Sequence, residues 1–78
     1  MPPRMPQVSG ENIVKALQRL GFEPVRQRGS HVVLKKQLHD REVGCVVPLH
    51  HGHNIAPGTL RSILRQAEIT LEELLEAL

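Results

Sequence analysis

The chain has no tryptophan and no tyrosine, and Phe22 is its one phenylalanine. Recognition of splayed single-stranded bases relies on aromatic side chains as stacking platforms, so a stacking surface of the RRM kind is excluded. Any nucleic acid this chain met would have to be gripped through phosphates, 2′-hydroxyls and shape. Cysteine is equally scarce. Cys45 stands alone, which rules out an intrachain disulfide and a Cys-rich zinc site and fits a reducing, cytoplasmic setting. No apolar run approaches the ~20 residues that a membrane helix needs. The opening Met-Pro-Pro-Arg-Met-Pro carries a charge but no apolar stretch, unlike a signal peptide. With 78 residues the chain has room for one small domain, which buries only about 60% of the surface its unfolded form exposes.

Charge is present but unevenly placed. The net charge is +2, yet residues 1–67 hold all ten Lys and Arg against four acids, Glu11, Glu23, Asp40 and Glu42. Residues 68–78 hold Glu68, Glu72, Glu73 and Glu76 and no base. A cationic body with an anionic tail suits a polyanion, because phosphate contacts dominate nucleic-acid affinity. An ordinary solvated surface is the plainer reading.

Residues 1–8 carry three prolines and no periodicity, and are expected to form a flexible arm ahead of a single domain over 9–78. Ser9 is a good helix N-cap. Ile13, Val14, Ala16, Leu17 and Leu20 follow at helical spacing until Gly21, which predicts a helix over about residues 10–20. Three strands are predicted at 22–28, 31–36 and 42–47, joined by Gly29-Ser30 and by Leu38-His39-Asp40 and stopped at Pro48. Short turns of this kind imply an antiparallel meander. A loop rich in His, Gly and Asn leads to Pro57-Gly58-Thr59. There a second helix opens, with Leu60, Ile63, Leu64 and Ala67 as its apolar stripe. Thr70-Leu71-Glu72-Glu73 reads as a capping box that starts a short third helix over about 71–77. The fold class is α+β: α-β-β-β-α, a three-stranded antiparallel sheet with helices on one face, plus a short C-terminal helix. This order is that of the double-stranded-RNA-binding domain.

His31 is the residue to explain. It follows the Gly29-Ser30 turn, with Arg26 and Arg28 before it and Lys35 and Lys36 after it, and no acid lies between Val25 and Lys36. Strand alternation puts His31, Val33 and Lys35 on one face and Val32, Leu34 and Lys36 on the other. Cations beside an imidazole favour its neutral, proton-accepting form, and they can also hold a phosphodiester. A base aimed at a ribose 2′-hydroxyl suffices to begin RNA cleavage by internal attack on phosphorus. Lys35 or water would then serve as proton donor for the leaving oxygen, and Ser30 could donate to a phosphate oxygen. The plainer reading is a histidine that finishes a turn. His50, just past Pro48, is the best second functional histidine. His51-Gly52-His53 offers two nitrogens to a metal, but its loop supplies no Cys or carboxylate, so a solvated or phosphate-contacting loop is preferred. The free amides of the helix start that Pro57-Gly58-Thr59 opens, with Arg61 one turn on, could seat a phosphate. Leu71, Leu74, Leu75 and Leu78 read as core or as a docking face, and Cys45 as core filler.

Two long stretches, "VSGENIVKALQRLGFEPVRQRGSHVVLKK" and "VVPLHHGHNIAPGTLRSILRQAEITLEEL", resemble the HicA toxins of type II toxin–antitoxin systems. The pieces that carry the resemblance are Gly29-Ser30-His31, Val47-Pro48-Leu49-His50 and Gly58-Thr59-Leu60-Arg61-Ser62-Ile63-Leu64. The resemblance implies a metal- and cofactor-free mRNA interferase with His31 as catalytic residue. Gly29, Ser30 and His50 would be motif or substrate-positioning residues. It also implies a HicB-like antitoxin that covers the site, so that the protein would be monomeric alone and hetero-oligomeric with its antitoxin. The basic set expected to meet RNA is Arg26, Arg28, Lys35, Lys36 and Arg61. A non-catalytic RNA-binding module, or a pure interaction partner, remains as the alternative. Glu68 stands where the family often has Gly, which puts the turn before the third helix in question.

Overall fold

The computed structural model describes residues 5–50 and 52–78. The elements run α1 (Gly10–Arg19), β1 (Glu23–Arg28), β2 (His31–Gln37), β3 (Glu42–Pro48), α2 (Pro57–Ala67) and α3 (Leu71–Ala77). This is the α+β arrangement the sequence predicts, with the three strands antiparallel in the order β1-β2-β3 and the helices behind them.

Local signals start and stop the helices. The Ser9 side chain accepts a hydrogen bond from the Asn12 amide at 3.2 Å and opens α1. At the other end the Phe22 amide donates to the Leu17 carbonyl and the Gly21 amide to Gln18. Gly21 takes a φ of 98°, which completes a Schellman stop that a side chain at this position would strain. The same pattern ends α2, where Ile69 donates to Leu64 and Glu68 to Arg65. Here the left-handed residue is Glu68, with φ of 56°. Glutamate here takes the left-handed conformation that glycine commonly supplies at a helix stop. The Thr70–Glu73 capping box of α3 is formed in both directions.

Packing follows the alternation. Val32 and Leu34 of β2 and Val43, Cys45 and Val47 of β3 face the helices. They meet Ile13, Ala16 and Leu17 of α1, Phe22, and Leu60, Ile63 and Ala67 of α2. Leu74 and Ala77 of α3 complete this core, and the Arg19 guanidinium donates to the Ala77 carbonyl, which ties α3 to α1. Fully burying a side chain such as Leu34 stabilises the fold by about 1.5–3 kcal/mol, so the β2 register is strongly set. A slip of one residue would bury His31 and expose Leu34. The outer edge of β3 is tied to α2 at one point, where the Val46 amide donates to the Gln66 side chain at 3.3 Å.

The arm expected over 1–8 lies half outside the described residues. Of the remainder, Met5 and Val8 pack against the core, and the Val8 carbonyl accepts from the Ile55 amide. Among the described residues no helix is long and apolar enough to cross a membrane.

Candidate active site

The turn between β1 and β2 creates the site. Arg28 and His31 are direct cross-strand partners flanking the two residues Gly29 and Ser30. Gly29 has φ of 57° and Ser30 does not share the positive sign, the pattern of a type II′ hairpin, which wants glycine at its first central position. The Gln27 side chain donates to the Gly29 carbonyl at 3.1 Å. His31 begins β2 on the face away from the helices and is exposed.

Cross-strand partners share a face, so the register shows what surrounds His31. Arg28 lies opposite on β1 and Pro48 opposite on β3. The next row is Arg26, Val33 and Val46. A bulge between Pro24 and Arg26 absorbs Val25 as the extra residue of β1. Arg26 and Arg28 form no ion pair among the described residues, whereas the Lys35 ammonium sits 3.4 Å from Glu42. The face is thus aliphatic in its middle and cationic on the β1 side. It offers no aromatic ring, since Phe22 is buried.

The loop after β3 is fastened to this turn. The Leu49 amide donates to the Ser30 carbonyl, which extends the β2–β3 ladder by one rung. His50 follows, exposed, and its carbonyl accepts from the His53 amide at 3.0 Å. Farther on, a bridge between Ser9 and Asn54 and the Ile55–Val8 hydrogen bond sew the loop to the chain ahead of α1. Gly10 lies directly beneath, and a Cβ there would collide with the Pro48 carbonyl oxygen. Sequence reading missed Gly10; its one trace is a glycine immediately after a strong N-cap.

Of the residues expected at the site, the structure gathers Arg26, Arg28, Gly29, Ser30, His31 and His50 at one end of the sheet. Lys35 shares the face but lies toward the other end and is paired. Lys36 is turned to the helix side, where its ammonium donates to the Leu20 carbonyl at 2.7 Å and sits 5.7 Å from the Phe22 ring centre. That contact sets Lys36 apart from the face that carries His31. Arg61 is exposed on α2, in the helix layer. The N-terminus of α2 has Ala56 at its cap and no side-chain hydrogen bond. His51 lies outside the described residues, and among the described residues no three His, Cys, Asp or Glu side chains are gathered as metal ligands. Cys45 is in the core, and burial pushes its thiol up to about 11, which leaves it inert.

The opposite end of the sheet is built differently. The Leu38 amide closes the β2–β3 turn onto the Arg41 carbonyl at 2.7 Å. Arg41 pairs with both Asp40 and Glu68, and its hydrogen bond holds the Glu68 carboxyl below the usual glutamate range. A hollow of about 400 Å³ between Glu23, Lys35, Gln37 and Glu42 also lies at this end. It carries charge of both signs and does not reach His31.

No curated protein matches the chain. The family model for the HicA toxin of bacterial toxin–antitoxin systems matches residues 10–69, a span that runs from the first residue of α1 to the end of the α2 stop and takes in the hairpin, His31 and His50. This chain belongs to the HicA toxin family and is a toxin of the toxin–antitoxin kind.

Proposed function

We propose that the protein is a cytoplasmic endoribonuclease that cleaves mRNA with His31 as its catalytic residue, and that a HicB-like antitoxin silences it by covering the same face. One observation carries this reading. The strand register sets an exposed histidine directly opposite Arg28, with Arg26 on the next row, and among the described residues neither guanidinium has a counter-ion. A guanidinium offers a planar fork of donors that suits phosphate oxygens. Held there, a phosphodiester has its ribose 2′-hydroxyl within reach of the imidazole. His31 takes that proton, the 2′-oxygen attacks phosphorus, and the arginines stabilise the charge that accumulates on the non-bridging oxygens.

Base identity is read weakly on such a surface, because Val33 and Val46 provide no stacking and the cations contact the backbone. The chemistry requires no metal. Purified protein is expected to degrade RNA in the presence of EDTA and to leave 2′,3′-cyclic phosphate ends. His31→Ala is expected to lose about 10²–10⁴-fold in rate with an unchanged unfolding midpoint, because the side chain is exposed. Cleavage by the alanine variant at the parent rate would remove His31 from catalysis. Salt-dependent RNA binding without products would make the protein a binding module instead.

A further inference from the structure

We propose that His50 is the general acid that protonates the leaving 5′-oxygen; this rests on the ribonuclease reading above. The argument begins with the ladder. The Val46 amide points outward to Gln66, so Val33–Val46 is a non-hydrogen-bonded pair. So is His31–Pro48, two residues along. In such pairs the Cα atoms approach to about 4.5 Å. The Leu49–Ser30 hydrogen bond is the next rung, and Leu49 packs its side chain against the core. Pro48, one residue before it, therefore faces outward with His31, and His50, one residue after it, is exposed. His50 therefore leaves the ladder beside the Gly29–Ser30 turn from which His31 enters it. Two exposed imidazoles that flank one hairpin end in this way bracket a place for one phosphodiester.

The cationic side chains of the sheet are less well placed for the task. Arginine does not release a proton at any working pH, which removes Arg26 and Arg28. Lys35 is two rows farther along β2, away from the turn, with its ammonium on Glu42. Lys36 is committed to Leu20 on the other face. His50 is exposed, and its backbone is fixed on both sides by the Leu49–Ser30 and His53–His50 hydrogen bonds.

The step balances. The 2′-hydroxyl proton passes to His31, the bond from the 2′-oxygen to phosphorus forms, and the bond from phosphorus to the 5′-oxygen breaks. That oxygen takes its proton from the His50 imidazolium. A 2′,3′-cyclic phosphate and a 5′-hydroxyl leave, with His31 protonated and His50 neutral, and exchange with water restores both.

The test uses two RNA oligonucleotides of one sequence, one all-oxygen and one with sulfur in place of the 5′-bridging oxygen at the cleaved bond. Thiolate departs without protonation, so a missing acid is not felt on the sulfur substrate. His50→Ala is expected to be about 10²–10⁴-fold slower than the parent on the oxygen substrate and close to the parent on the sulfur one. His31→Ala stays slow on both. Equal losses on both substrates would make His50 a positioning residue and overturn the proposal, as would no loss on either, or sulfur rescue of Lys35→Ala in its place. A parent protein that cleaves neither substrate would overturn the ribonuclease reading itself, an outcome distinct from all of these.

Discussion

The two ends of the sheet are made from the same strands and treat charge in opposite ways. At the Arg41 end the projecting cations have acids beside them: Lys35 has Glu42, and Arg41 has Asp40 and Glu68. At the His31 end, Arg26 and Arg28 have none among the described residues. Exposed ion pairs contribute little to stability, so the pairing at the first end chiefly removes net field. Leaving the second end unpaired costs the fold little as well, and it leaves a concentrated positive field beside a histidine. The division of labour lies in the charge partners, while the backbone is common to both.

Leu34 supports both ends, and its loss is the largest change expected. Leu34→Ala should destabilise by about 2–5 kcal/mol, seen in denaturant unfolding, and should erase the contrast by loosening the shared register. Converting the cationic end into a neutral one comes next. Arg26→Gln with Arg28→Gln should lower RNA affinity and reduce the steepness of its salt dependence by about 0.7–0.9 for each phosphate that is no longer neutralised, with little effect on the unfolding midpoint. Gly29→Ala tests the turn alone. Its positive φ at the first central position of the turn should make alanine cost about 1–3 kcal/mol, and cleavage should fall because His31 leaves the hairpin at a new angle. The smallest effect belongs to the paired end. Arg41 lowers the folded-state pKa of Glu68, so the pair adds stability above the usual glutamate range and loses it as pH falls through the lowered value. The difference in unfolding midpoint between the parent and Glu68→Gln should therefore shrink to nothing in acid, with cleavage unchanged at neutral pH.

What could be read from sequence was what is local. Strand alternation separated His31 and Lys35 from Val32 and Leu34 because a period of two leaves no other choice once valine and leucine are buried. The Ser9 cap, the Gly21 stop and the Thr70–Glu73 box each act within a few residues. Lys35 and Lys36 looked equivalent as charges, although alternation had already set them apart. That Lys36 spends its donor on Leu20 depends on how α1 docks, which no short window records. The Gln66–Val46 bond and the meeting of Gly10 with Pro48 likewise join residues far apart in sequence, and neither residue type announces such a meeting. Glu68 could be flagged as unusual, but its left-handed conformation and its pairing with Arg41 emerged only from the fold.

Gly10 leaves the toxin a vulnerable spot behind the strand end that holds the proposed site. A single extra carbon there must push the end of β3 outward, and that strand end carries the partner of His31 and the approach to His50. Cells selected to survive the gene without its antidote should accordingly yield inactive alleles at codon 10 alongside those at the histidines.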